Sequence, residues 1–327
     1  MNTKRIARSL AALLACGFFA SAPSLAEEWP AKPIQVIVPA PGGGGTGDAI
    51  ARLVSERLAQ RLNANIVIEN RGGANGNIGA AAAARSAPDG YRLLFSWAGT
   101  LAVNPAMHKN PGFDPVESFE PIGLVADVPN ILVVNNELPV KDFGGFIDYA
   151  KSNPDKLNFA SSGNGSSMHL AGALFMQETG TRLVHVPYTA PGQATTNLIA
   201  GDIQAMFQLV PGIAGHVRGG MVRPLAIMSP VRSSALPDVP TTAELGYPRL
   251  VSSTWFALLA PKGISPEIAD RINTALNEVL STPEIHKQLS ALGAVPSGGT
   301  RQALAEHLST ELTKWGQLVK SLNIEAE

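Results

Sequence analysis

Two glycine-rich segments carry the residues best suited to chemistry, and each lies between an apolar stretch and a helical pattern. The glycine segment runs from Ala40 to Asp48, and the serine segment runs from Ser161 to His169. The first amides of a helix lack an intrahelical acceptor and lie at the positive end of its dipole, so they bind anions readily. Glycine lets a ligand approach such amides, and serine adds hydroxyl donors. The two segments together predict a clamp for a ligand with one or more carboxylates.

Taken singly, each segment is also typical of an ordinary turn or helix cap, with Asp48 as one such cap. Known catalytic and nucleotide motifs fit less well. A P-loop needs lysine after its last glycine, but Asp48 follows Gly47. A dinucleotide fingerprint ends on a third glycine, where the serine segment has Met168. A hydrolase elbow needs glycine two residues to each side of its serine, and neither Ser162 nor Ser166 has that frame.

The histidines predict neither a metal site nor a catalytic centre. No two of the six have the four-residue spacing of a helical metal motif, and the chain has one cysteine. His185 lies in an apolar stretch and is interpreted as structural. His169 lies near a predicted helix start, where a structural role and a role in orienting the serine segment are both open. We therefore expect a binding protein without enzymatic activity, metal or cofactor.

The elements that must position these residues form two α/β units. Strands alternate with helices in the first unit, which predicts a parallel sheet with helices on its faces. The same order restarts after residue 128, and a Pro- and Ser-rich connection and further helices follow. The predicted strands lie at 33–38, 66–68, 91–95, 131–134, 157–160, 184–188 and 205–207, and the main predicted helices begin near 48, 78, 143, 167, 268 and 304.

The amino terminus predicts export. Lys4, Arg5 and Arg8 precede an apolar run and then a small-residue site ending at Ala26, so residues 1–26 are interpreted as a signal peptide. A membrane anchor is disfavoured because the run is shorter than the ~20 residues that a spanning helix needs. Lipidation of Cys16 is an alternative, since residues 13–16 resemble a lipoprotein box. A periplasmic location is expected in either case.

Charge and length exclude other classes of protein. The 25 basic residues nearly balance the 26 acidic ones, and no basic run suggests nucleic acid. No second stretch is long and apolar enough to span a bilayer. The mature chain exceeds what one hydrophobic core usually serves, which predicts two lobes.

Several motifs together give a family resemblance that covers nearly all of the mature chain. The chain resembles the extracytoplasmic solute receptors of tripartite tricarboxylate transporters, the Bug family. Each motif alone is weak, and their order and number make the likeness specific. The motifs are Trp29–Ile34, the glycine segment with Ala51 and Arg52, Glu69–Gly79, Pro88–Tyr91, Ser161–Ser166 with His169 and Leu170, His185–Tyr188 and Leu236–Gly246.

The resemblance implies a periplasmic-binding-protein-like (type II) Venus flytrap of two α/β lobes, with a hinge crossed twice. Lobe 1 would comprise residues 27–129 and 253–327, and lobe 2 residues 130–252. The implied function is capture of a small mono-, di- or tricarboxylate, aromatic ones included, for a tripartite tricarboxylate transporter permease, by a monomer. A sensor serving a signalling partner, or a periplasmic hydrolase, is the alternative.

The same likeness assigns a binding site, in which backbone amides, hydroxyls and water hold the carboxylate. This chain departs from the family where Thr189 and Ala190 replace a common Lys-Gly, and where Asn197 and Gln208 replace aspartates. The cleft should therefore carry less charge than in many relatives. The assigned residues are Ala40, Pro41, Gly43, Gly44, Gly45, Thr46, Asp48, Ser96, Ser162, Gly163, Ser166, Thr189, Ala190 and Gln208.

Overall fold

The computed structural model describes residues 28–40, 42, 45–188 and 191–321. The predicted signal peptide, Cys16, and five assigned site residues lie outside that part of the chain: Pro41, Gly43, Gly44, Thr189 and Ala190. No helix among the described residues is long and apolar enough to cross a membrane.

Strands and helices alternate along both halves of the described chain. The strands are β1 (Ile34–Val38), β2 (Ile66–Asn70), β3 (Arg92–Trp97), β4 (Phe119–Val134), β5 (Asn158–Ser161), β6 (Val184–Pro187), β7 (Ala205–Leu209), β8 (Arg223–Ile227), β9 (Ser253–Pro261) and β10 (Val295–Gly298). The α-helices are α1 (Gly45–Leu62), α2 (Asn77–Ala84), α3 (Asn104–Met107), α4 (Phe143–Ser152), α5 (Ser167–Thr179), α6 (Pro191–Ala200), α7 (Val210–Arg218), α8 (Pro266–Leu280), α9 (Pro283–Ala291) and α10 (Arg301–Ser321). A 3₁₀ turn (Ala74–Gly76) precedes α2, and a π-helical turn (Gly99–Val103) precedes α3.

The three strands predicted for the first unit form a parallel sheet as expected, and antiparallel strands extend it into a mixed sheet. Strands β2, β1 and β3 are parallel, as their crossover helices require, but β9 pairs antiparallel with β3 and with β4. The amphipathic face of α1 covers this sheet, because Ile50, Val54 and Leu58 recur every four residues and are buried.

The second unit also contains three parallel strands, in which β5 lies between β6 and β7. The long strand β4 joins the two units. Its first part pairs with β9 up to Pro129, and from Asn130 onward it pairs with β7 and β8. The chain returns at Ser252, whose carbonyl accepts from the Asn130 amide at 2.9 Å. This change of pairing supports the predicted lobe boundaries, which remain a prediction.

Candidate functional site

A cavity of about 490 Å³ lies where the carboxyl ends of the parallel strands in both units meet. Residues from both units line it, and most belong to the loops and helix starts that follow these strands. The lining residues are Ala40, Thr46, Gly47, Asp48, Asn75, Trp97, Gly99, Ser162, Asn164, Gly165, Ser166, Ser167, Met168, Gly192, Thr195, Thr196, Gln208, Leu209, Gly212, His216, Thr254 and Phe256.

On the side of the first unit, Asp48 organises the start of α1. Its buried carboxylate lies in the first helical turn and accepts from Arg52 Nε at 2.9 Å and from Asn70 Nδ2 at 2.8 Å. Arg52 also donates to Asn70 Oδ1 at 2.8 Å, which closes the network. The negative charge of Asp48 is therefore paired, and it already complements the dipole of α1.

Two aromatic side chains form an apolar wall next to the start of α1. The rings of Trp97 and Phe256 meet edge to face with centroids 6.2 Å apart, and both line the cavity. Phe256 stacks in turn on the buried ring of Phe95 at 5.8 Å. A Cβ atom at Gly47 would lie 3.1 Å from Phe256 and 3.4 Å from Trp97, so glycine keeps these rings accessible.

On the side of the second unit, Ser166 caps α5. Its Oγ accepts from the His169 amide at 3.3 Å, as an N-cap serine does. The amides of Ser167 and Met168 occupy the first two helical positions, where no intrahelical carbonyl is within reach. The first turn of α5 has no acidic residue. This helix start therefore offers donors and a positive dipole end to the cavity.

Behind the serine segment, His169 and His185 stack with centroids 3.8 Å apart and planes 5° apart. His169 Nδ1 accepts from the Gly165 amide at 3.1 Å, and His185 Nε2 lies 2.6 Å from Ser161 Oγ. Burial lowers the pKa of His169 to about 4. Burial, and then the charge of His169, lower the pKa of His185 to about 3. Both rings are neutral at pH 7, and neither lines the cavity.

The Ser161 and His185 pair has the short contact of a nucleophile and its base, yet it is not placed for catalysis. Ser161 is fully buried, and its hydroxyl donates to the Gly163 carbonyl at 3.0 Å. The Gly163 amide donates back to Ser161 Oγ at 3.1 Å. These contacts fix the serine segment from behind, so the structural interpretation of His185 fits, and His169 orients the segment.

Gln208, at the end of β7, presents an amide to the cavity. The residue is 5% exposed, and its Oε1 accepts from the Leu209 amide at 2.8 Å. Its Nε2 has no hydrogen-bond partner among the described residues. Asn197 differs, because it donates to the Tyr188 hydroxyl at 2.9 Å and lies outside the lining.

Of the assigned site residues that the structure describes, six line the cavity: Ala40, Thr46, Asp48, Ser162, Ser166 and Gln208. Gly45 is the first residue of α1, and Gly163, which contacts Ser161, is not part of the lining. Ser96 does not follow the third strand but lies within it. Its side chain is fully buried on the face opposite Trp97, away from the cavity, because side chains alternate along a strand.

The sequence-based assignment missed several lining residues. Asn75 belonged to a recognised motif without an assigned role, and Trp97 directly follows Ser96, so both had a local signal. Phe256 had none, because β9 was not predicted. Thr195 and Thr196 lie on α6 and His216 lies on α7, and none of the three had been given a role.

The charges of the cavity are few. Its lining, among the described residues, includes no lysine or arginine, and its titratable side chains are Asp48 and His216. No three His, Cys, Asp or Glu side chains in the described part of the chain could hold a metal ion together. The arrangement suits an anion bound by neutral donors.

Comparisons with known proteins agree with this geometry. The model of the family described as tripartite tricarboxylate transporter family receptor matches residues 50–324. BugT of Bordetella pertussis is 37% identical over 321 residues, which cover 98% of each chain. Rpa4515 of R. palustris, solved with adipate, is 33% identical with a TM-score of 0.81, covering 91% of this chain and 99% of that one. MatC of Rhodopseudomonas palustris, solved with bound malate, is 30% identical with a TM-score of 0.75, covering 89% and 100%. The predicted two-lobe binding-protein fold is confirmed by these structures.

Proposed function

This chain belongs to the family of tripartite tricarboxylate transporter receptors, and from that premise we propose that it captures a small carboxylate in its interlobe cavity and presents it to a permease in the inner membrane. The ligand is held without chemical change. The family is periplasmic, and residues 1–26 act as the export signal, with a lipid on Cys16 as the alternative route to the same compartment.

The observation that carries the proposal is the set of neutral donors at one end of the cavity. The free amides at the start of α5, the hydroxyls of Ser162 and Ser166, and Gln208 Nε2 all serve one lining. Hydrogen bonds to a charged acceptor are stronger than those between neutral groups, and they strengthen further where water is excluded. A carboxylate therefore fits this end better than a cation or a neutral ligand.

Two relatives with solved structures support the same ligand class, because one contains adipate and the other malate. The proposed site also includes Pro41, Gly43, Gly44, Thr189 and Ala190, which lie outside the described residues. In the sequence, the first three precede α1 and the last two precede α6.

Transport requires that the permease distinguish loaded from empty receptor. The ligand stabilises the closed form because it contacts both lobes at once, and the lobes turn about β4 and the return at Ser252. Lobe 1 comprises residues 27–129 and 253–327, and lobe 2 residues 130–252. The receptor works as a monomer.

Titration calorimetry with a panel of mono-, di- and tricarboxylates tests the proposal. We expect at least one to bind with saturation at one site per chain, and to be recovered unchanged. Absence of binding across the panel contradicts carboxylate capture, and turnover of the ligand contradicts a receptor without enzymatic activity. Small-angle scattering with and without that carboxylate checks closure, which should lower the radius of gyration.

A further inference from the structure

We propose that the cavity selects a monocarboxylate with a flat apolar or aromatic body over di- and tricarboxylates. This inference rests on the proposed function and narrows its ligand class. It follows from an asymmetry between the two walls of the cavity, one of which provides anion donors and the other an aromatic surface.

The anion donors lie together on the wall of the second lobe. Strands β5, β6 and β7 are parallel, so their carboxyl ends meet at one edge, and α5, α6 and α7 start there. Ser162, directly after β5, and Gln208, near the end of β7, both line the cavity at this edge. None of the three helices has an acidic residue in its first turn. The positive ends of these helix dipoles favour an anion.

Gln208 indicates independently that this wall can bind a hydrogen-bond acceptor of the ligand. The residue is almost entirely buried, so the cavity is the side from which its amide N–H₂ can gain a partner. Its Nε2 is accessible from the cavity and unpartnered among the described residues, while its Oε1 is already used by Leu209. A carboxylate oxygen of the ligand provides the missing acceptor. Because the free group is a donor, an ammonium group does not satisfy it.

Among the described residues, the wall of the first lobe offers no lysine or arginine to a second carboxylate. The Asp48 carboxylate in the first turn already complements the dipole of α1, so this helix start has less to offer another anion. Arg52, the neighbouring cation, is engaged by Asp48 and Asn70 and does not line the cavity. A second carboxylate of the ligand would lose its hydration at this wall. Among the described lining residues, no free cation would compensate for that loss.

That wall presents Trp97 and Phe256 instead. Trp97 is half-buried and its ring borders the cavity, while Phe256 is fixed from behind by Phe95. Rigid aromatic surfaces bind flat apolar groups by stacking and by burial of apolar area. Gly47 keeps both rings open to the ligand. Because the donors and the rings line the same cavity, one molecule with an anionic end and an apolar body can contact both.

Calorimetry with benzoate, phenylacetate and cyclohexanecarboxylate, against malate, adipate and citrate, tests the inference. We expect the tightest-binding monocarboxylate to bind at least about tenfold more tightly than malate, adipate or citrate. This ratio corresponds to about 1.4 kcal/mol of binding free energy. Tighter binding of malate, adipate or citrate overturns the inference and leaves the proposed function standing. Absence of binding by all six overturns both.

Variants of Trp97 test the aromatic wall itself. Trp97→Ala should lower the affinity for the tightest-binding monocarboxylate about tenfold or more. Trp97→Phe should retain most of that affinity. Trp29→Ala is the matched control, because it removes another half-buried tryptophan that is not part of the lining. Tryptophan emission should change on binding in the wild type and in Trp29→Ala, but not in Trp97→Phe. Unchanged affinity in Trp97→Ala, confirmed as folded by circular dichroism, contradicts the inference.

Discussion

The imidazole rings of His169 and His185 lie face to face, 3.8 Å between centroids and 5° between planes, directly behind the serine segment. Each ring holds a different part of that segment, through the Gly165 amide and through Ser161 Oγ. A protonated His169 loses the acceptor that Gly165 uses, and two charged rings repel each other at this distance. The geometry of the binding segment therefore depends on a neutral histidine pair.

We expect acid to destabilise the protein through this pair. Because burial lowers the pKa of both rings below the ordinary 6.5, the unfolded chain takes up protons first as the pH falls. The stabilisation is complete above about pH 6.5 and is lost toward the folded pKa values, about 4 and about 3. The Tm should fall by several degrees between pH 7 and pH 5, as thermal unfolding at each pH would reveal.

The His169→Asn/His185→Gln double variant should flatten this pH profile without abolishing it, because burial also lowers the pKa of His307. His286→Gln is the control, since His286 is exposed and lies on α9, outside the serine segment. A double variant with the wild-type pH profile would show that the pair does not cause the acid sensitivity.

Ser166 is expected to serve both stability and binding. Ser166→Ala removes the N-cap of α5 and should lower the free energy of unfolding by about 1 kcal/mol. Ser166→Ala should also lower the affinity for the carboxylate. Ser166→Phe should abolish binding, because the phenyl ring fills the cavity. Urea unfolding and calorimetry measure the two effects.

Thr282→Ala is the matched control for Ser166. Thr282 caps α9 through the Ile285 amide and lies outside the lining. Its loss should reduce stability by a similar amount with binding intact. If Ser166→Phe folds and keeps the wild-type affinity, the serine segment is not part of the site.

Substitutions of Gln208 should distinguish the effect of the site's charge on ligand affinity from the effect of its shape. Gln208→Glu keeps the size of the side chain but places a negative charge beside the bound carboxylate, so we expect at least about a tenfold loss of affinity at pH 7. Gln208→Met removes the donor alone and should cost less. Gln302→Glu makes the same charge change at an exposed position on α10, and it should leave binding unaltered. Affinity that stays the same in Gln208→Glu argues against an anionic ligand at this wall.

Gly165 connects the serine segment to the first lobe. Its φ is +72°, and a Cβ atom there would lie 2.2 Å from Met107 Sδ. Gly180 has a similar φ of +67° with nothing within 4 Å, so Gly180→Ala measures the backbone strain alone. That strain is about 1–2 kcal/mol.

We expect Gly165→Ala to be the more destabilising of the two, by an additional ~1 kcal/mol or more from overpacking. Adding Met107→Ala should remove that excess, which a double-mutant cycle in urea detects. Equal destabilisation by the two glycine substitutions would mean that the Met107 contact does not constrain the segment.

Much of the fold followed from local pattern. The strands β1, β2 and β5, the start of α5 at Ser167 and the family motifs are encoded within short segments, since apolar periodicity and capping act over a few residues. Strands β8 and β9 escaped prediction for a physical reason. Pro224 and Arg223 make β8 resemble a turn, and β9 follows a long Pro- and Ser-rich connection that conceals its start.

Local signals in the sequence were enough to indicate an α/β receptor with two helix starts preceded by glycine- and serine-rich loops. Tertiary structure decided which residues meet. Trp97 faces the cavity and Ser96 does not, because β3 pairs with β9 in a register that sets Trp97 opposite Phe256, and alternation then turns Ser96 to the other face. The His169 and His185 stack likewise arises because β5 and β6 are neighbours. Contacts between residues distant in sequence depend on strand pairing and packing, which no local pattern specifies.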